Sequence, residues 1–311
     1  DGAITLGGTV DGGFNLTLNS TNTTTISAAI GSGTNITSLT TDSGGTTAIS
    51  ANISSSSTQT YNDAVTVDGT LDFTGSTVQF ASTLQGNGAG DVITIAGNLN
   101  LDGAASLLTS LTVEGTSNLG ANVTTSGTQQ YDGAVTLSVD VTLTTTDSNI
   151  TFNGTVNSED DITNRALTID LDSDNNGTTA DVIFGNATAD TIGVTYDLGA
   201  IDITGDLDLN AAIGNGATAG ATSINVSGTT NLGANVTTSS TQQYDGAVTL
   251  SVDVTLTTTD SNITFNGTVN SEDDITNRAL TIDLDSDNNG TTADVIFGNA
   301  TADTIGVTYD L

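Results

Sequence analysis

The chain has 311 residues, of which 35% are hydrophobic, and sets 36 acidic residues against two arginines with no lysine or histidine, a net charge of −34. Such a field repels phosphate backbones and anionic lipid, which excludes nucleic-acid and membrane-surface partners and leaves divalent cations as the natural counter-ions. Without cysteine there is no disulfide, and without a run of about 18 apolar residues there is no helical membrane span, so a thin noncovalent core is expected.

From the amino terminus onward the pattern is one of short strands. The first block, "DGAITL" at Asp1, recurs as "NDAVTV" at Asn62 and "DGAVTL" at Asp132 and Asp245, at separations of 61, 70 and 113 residues. Between these markers lie "AVTV" at Ala64, "LDF" at Leu71, "VQF" at Val78, "VITIA" at Val92, "LNL" at Leu99 and "LTV" at Leu111. Each alternates Val, Ile, Leu or Phe with Thr, Asp, Asn or Gln, the period of a strand with one dry face. Turn-formers such as "DG" at Asp68, "GNGAG" at Gly86 and "DSDNNG" at Asp172 fill the gaps, and there is no proline to interrupt a ladder.

From Asn118 the sequence copies itself. Residues 118–198 recur at 231–311 with one difference, Gly127 against Ser240. Strands this short need neighbours, and the expected fold is all-β: a right-handed parallel β-helix with coils of about 20 residues, each strand lying on the coil below. Inserting a whole number of coils would lengthen such a solenoid while each coil meets a familiar neighbour. Residues 1–311 are accordingly expected to form one continuous solenoid segment, an interior fragment of a longer array. The alternative, tandem immunoglobulin-like β-sandwiches, would repeat at one domain length.

The blocks "TQTYNDAVTV" at Thr58, "NLGANVTTS" at Asn118 and "TQQYDGAVTLSVDVTLTTTDSNITFNGTV" at Thr128 resemble the repeats of giant secreted bacterial exoproteins of the filamentous-haemagglutinin type. That resemblance implies a right-handed β-helix exported across a Gram-negative envelope and displayed at the cell surface. It also implies a role in adhesion, aggregation or an extracellular matrix. The expected function is a noncatalytic adhesive rod, stalk or filament segment. A self-assembling fibre or sheath subunit is the alternative, and a carbohydrate-active β-helix enzyme is a third, less favoured reading. Expected partners are further copies in a filament, or a neighbouring cell surface or glycan.

Candidate site residues follow from residue chemistry. Asp172, Asp174 and Asn176, followed by Gly177, have the alternate-position spacing of a loop that turns oxygens onto a hard cation, Ca2+ above all. The twelfth position is Ile183 where a calcium loop needs Glu, so Asp181 or a carboxylate of the next coil is expected to complete the set. Asp285, Asp287, Asn289 and Asp294 repeat the arrangement. No organic cofactor is indicated. "SEDD" at Ser158 and Ser271 reads as a solvated turn rather than a catalytic pair, and Arg165 and Arg278 are expected to form local ion pairs with those acids. Tyr61, Tyr131 and Tyr244 are expected to recur at one phase of the coil, filling a corner of the core rather than presenting a sugar platform.

Overall fold

The computed structural model describes every residue except Asp1, Ala89, Thr188, Ala217, Thr291, Thr301, Ala302 and Val307, so the first residue of the "DGAITL" block lies outside the described residues. All regular elements among them are strands, and every ladder between named strands is parallel. The fold is a parallel β-solenoid, consistent with the right-handed β-helix, and antiparallel immunoglobulin-like sandwiches are ruled out. No helix is long and apolar enough to cross a membrane. The chain forms two compact units, Asp1–Val135 and Thr136–Leu311.

In the first unit one stack runs from Ile4–Leu6 through Thr23–Ile26, Thr46–Ile49, Ala64–Val67, Leu84–Gly86 and Ala105–Leu108 to Val123–Thr125. Its register advances from Ile4 to Thr24, Thr47, Val65, Leu84, Ala105 and Val123, coils close to the expected 20 residues. The other two faces are joined where Thr70–Phe80 and Val92–Leu101 turn a corner without breaking. Gly97 makes that corner possible: its φ is 153°, and a Cβ there would stand 1.8 Å from the carbonyl oxygen of Gly75 on the coil below.

The second unit has three stacks. The first contains Val141–Thr144, Arg165–Asp170, Leu198–Thr204, Ala221–Val226, Gln242–Tyr244, Ile263–Phe265 and Val295–Phe297. The second contains Ile150–Phe152, Asp181–Phe184, Asp206–Leu209, Thr230–Leu232, Val248–Leu250 and Val269–Ser271. The third contains Val156–Ser158, Thr191–Ile192, Ala212–Ile213, Val236–Thr237, Val254–Thr257 and Leu280–Asp283. Alternation along each strand points Val, Ile, Leu and Phe into a dry interior and Thr, Asn and Asp outward.

This topology corrects the expectation that the duplication adds whole coils. Val254–Thr257 is the copy of Val141–Thr144, yet it stands in the third stack and not the first. Ile263–Phe265 copies Ile150–Phe152 and has moved from the second stack to the first, and Val269–Ser271 copies Val156–Ser158 and has moved from the third to the second. With three strands per coil, a copy that begins fourteen strands later is four coils and two-thirds of a turn further on. The tyrosines are likewise not at one phase. In the first unit Tyr61 lies on Thr58–Tyr61, paired with Thr77–Phe80, whereas Tyr131 lies on Gln129–Tyr131, paired with Ser110–Val113 of the other face.

What the tyrosines share is a corner. Tyr61, Tyr131 and Tyr244 are fully buried, and each phenol donates a hydrogen bond to the Oε1 of the glutamine two residues earlier, at 2.9, 3.0 and 3.1 Å. The Nε2 of that glutamine donates across the bend to the carbonyl six residues back: Ile53, Val123 or Val236. Gln242 adds the Thr257 carbonyl at 2.9 Å, and Gln59 adds that of Thr74 at 2.8 Å. The Thr74 and Thr257 carbonyls also accept the backbone N–H groups of Ser55 and Thr238, so the buried amide fills a second lone pair at the bend. The aromatic ring then continues the core, with Tyr61 stacked on Phe80 at 5.1 Å and Tyr244 on Phe265 at 5.4 Å.

Gln242→Leu keeps the volume and removes the amide, leaving the Tyr244 phenol unpaired in a dry core and taking a donor from the Val236 and Thr257 carbonyls, of which Thr257 keeps the Thr238 N–H. The expected cost is roughly 2 kcal/mol or more. Gln243→Leu, at the exposed neighbouring position, should stay within about 0.5 kcal/mol. Denaturant titrations of the two variants check the contrast, and equal stabilities would contradict the corner role.

Candidate functional site

The loop after Arg165–Asp170 is built around one carboxylate. Asp172 Oδ1 accepts the backbone N–H of Asn176 at 3.0 Å and of Gly177 at 3.1 Å, so the chain wraps around it. Asn175 and Gly177 take φ of 57° and 89° to close the wrap, a conformation Asn and Gly tolerate best. On the preceding coil, the bend between Val141–Thr144 and Ile150–Phe152 presents Asp147, also left-handed at φ 51°. The two bends are tied by the Thr146–Asp172 bridge and by a contact of 3.1 Å between the Thr146 and Ser173 hydroxyls.

Asp147, Asp172 and Asp174 thereby offer carboxylate oxygens within 4.8 Å of one another, and Asp260, Asp285 and Asp287 do the same in the copy. Oxygen-only ligands in a flexible, solvent-facing cluster suit Ca2+ better than Zn2+ or Cu2+. The phase shift places the two triads on different corners. The first loop joins the first stack to the second, whereas its copy joins Leu280–Asp283 of the third stack to Val295–Phe297 of the first.

The remaining expected ligands are elsewhere or occupied. Asn176 turns its amide nitrogen, not its oxygen, to Asp174, donating from Nδ2 to Oδ2 at 2.7 Å, and Asn289 does the same to Asp287 at 2.6 Å. Asp181 is not among the three clustered acids. Its backbone N–H donates to Asn149 Oδ1, and its carboxyl is pushed up from the usual range by partial burial, then by the charges of Asp206 and Asp208. Asp294 makes the corresponding bond to Asn262 and is also outside its cluster. Sequence reasoning missed Asp147 and Asp260, because the third acid comes from the coil below and is no part of the loop motif. The available signal was spacing: each precedes its loop by about one coil.

In "SEDD" Ser158 is buried at the end of its strand, and the three acids after it form a turn with Glu159 and Asp161 exposed. Asp160 Oδ1 accepts the N–H groups of Ile162 and Thr163, and these bonds, helped slightly by Arg165, hold its carboxyl below the usual range. The turn lifts Ile162 to 85% exposure, and its copy lifts Ile275 to 86%. Among the described residues Arg165 makes no ion pair at contact distance, although its charge reaches Asp160, and its Nε is enclosed without a hydrogen-bond partner, as is that of Arg278. The Arg165 and Arg278 backbone N–H groups donate to Ser158 and Ser271 Oγ.

Comparison with protein-family models, curated proteins and solved structures returns no match.

The row Asp181, Asp206 and Asp208 gives a pH dependence. Because the folded state holds the Asp181 proton more tightly than the unfolded chain, ionising it costs stability that is fully felt above its raised pKa. That cost disappears as pH falls through the ordinary carboxylate range. Asp181→Asn should therefore raise the melting temperature at neutral pH and make little difference near pH 3, about a unit below the ordinary carboxylate value. Calorimetry across that span checks it, and a variant less stable at neutral pH would contradict it.

Proposed function

We propose that the chain is a noncatalytic, extracellular structural and adhesive segment. It serves as the stalk or filament part of a giant secreted bacterial adhesin or matrix protein of the filamentous-haemagglutinin type. The observation that carries this reading is the duplicate set two-thirds of a turn out of phase. A sequence selected for a reaction centre must hold its side chains at one place on the surface. A segment reused on other faces is constrained only to make coils, and its value lies in extension and repeated display.

The polar outward rows support the same reading. Asn118 donates to Asn100 and Asn231 donates to Asp208, so half-buried side chains on the outer face bond along the stack. Among the described residues all the acids but Asp63 and Asp91 stay at least partly exposed, which holds the surface soluble in a chain of net charge −34. Calcium at the two triads would pin successive bends together and relieve like-charge repulsion, coupling rigidity to an extracellular cation. Self-assembly into fibres is the second reading, favoured by the apolar face at Leu280, Phe297 and Ile305, which carries no covering strand among the described residues.

Beads coated with the chain should adhere to a cell monolayer or a glycan surface in the presence of Ca2+, whereas beads coated with an equally acidic unfolded peptide should not. Absence of adhesion across such surfaces would contradict the adhesive part. Calcium should raise the melting temperature, approaching a gain of about 2.7 kcal/mol for each triad at a concentration 100-fold above Kd. Asp172→Asn combined with Asp285→Asn should abolish that rise, and an unchanged calcium response would remove the cation from the account.

A further inference from the structure

The duplication makes the second unit its own control. Residues 165–192 and 278–305 are the same sequence in opposite surroundings. In the first copy Leu167, Ile169, Val182, Phe184 and Ile192 are fully buried. Their counterparts are Leu280, Ile282, Val295, Phe297 and Ile305. Leu280, Ile282 and Val295 are partly exposed, and Phe297 and Ile305 are 41% and 45% exposed. The difference has one source. In the first copy a further coil lies on this face, with Leu167 against Ile201, Ile169 against Ile203, Val182 against Leu207, Phe184 against Leu209 and Ile192 against Ile213. In the second copy Leu280–Asp283 pairs only with Val254–Thr257 and Val295–Phe297 only with Ile263–Phe265 among the described residues.

We propose that the face of Leu280, Ile282, Val295, Phe297 and Ile305 is a docking surface for one more parallel β-coil, whose strands read Ile-x-Ile-x-Gly-x-Leu-x-Leu as at 201–209. The covering coil shows why that pattern fits. Its apolar residues sit in register over apolar residues, while its backbone completes the ladder, the mode in which an extended segment adds to a sheet edge. The glycine is specific. Gly205 lies over Leu171 with φ 131°, and a Cβ there would stand 2.9 Å from Leu171 Cδ1. Leu284, the counterpart of Leu171, imposes the same demand on whatever covers it. The docking surface depends on the fold alone and not on the adhesive reading.

The test is amide exchange of the full chain in two formats: with excess free peptide of residues 198–213, and with residues 199–213 fused directly behind Leu311, which reproduces the Asp197–Leu198–Gly199 junction. Exchange at 280–283 and 295–297 should slow at least about tenfold, with the already covered strands 165–170 and 181–184 unchanged, and Phe297→Asp in the chain should abolish the effect. Slowing in the fused format alone also supports the proposal, since tethering supplies an effective concentration of order mM. No slowing in either format would overturn it. So would equal slowing by a segment carrying Gly205→Val with Leu207→Asp and Leu209→Asp.

Discussion

A parallel coil gives its backbone only two places to bond, the coil before and the coil after. Everything distinctive in this chain follows from meeting that demand with strands mostly of two to four residues. Along the faces the ladders meet it. At the bends the chain turns and carbonyls point inward with lone pairs left over from the ladder. The Gln-x-Tyr pair answers this at Gln59, Gln129 and Gln242, where an amide nitrogen takes the stray carbonyls, the amide oxygen takes the phenol, and the ring rejoins the aromatic stack. Neutral groups suffice, so the core needs no ion pair in a chain that has only two cations.

Because the demand is the same on every face, a sequence that satisfies it is not tied to one face. The near-identical segment in the second unit shows this, since Val254–Thr257 and Ile263–Phe265 have each passed to another stack while Val254, Leu256, Ile263 and Phe265 stay buried. The inward face of Ile150–Phe152 packs against Asp181–Phe184 in one stack, and that of its copy packs against Gln242–Tyr244 and Val295–Phe297 in another. Coils vary in length through their bends and not through their faces. From Leu167 to Ile201 a coil takes up the acidic loop and a second excursion, whereas from Ile224 to Gln242 it turns tightly.

Period-2 alternation, turn residues and the absence of proline made the strands and the solenoid legible, since these encode local geometry directly. Burial of the tyrosines was legible too, because an aromatic beside a strand of Val and Thr has an apolar place to go. Phase was not. The separations 61 and 113 look like markers of coil count, yet only the first is a whole number of coils, and nothing local in "DGAVTL" distinguishes one face from another. The acidic loops were half legible. Asp172 and Asp174 meet as their spacing suggests, but the third acid arrives from the bend of the preceding coil, and Asn176 is taken up by Asp174. Contacts between coils depend on register, and register is what a single sequence leaves open.

The claim that a copied segment can sit on other faces is open to a direct check, because the chain has no native cysteine. The copy's phase shows only against strands outside it: Asn231 is in register with Asp208 in the second stack, and Gln243 with Asn225 in the first. Cysteine pairs introduced at 208 with 231, and at 225 with 243, should close to disulfides under mild oxidation, as neighbouring parallel strands allow. A pair at 212 with 231 should stay reduced, read by thiol titration and mass. If 231 instead cross-links to 212, in the third stack, while 208 with 231 stays open, the copy keeps the phase of its original, and the account of interchangeable faces fails.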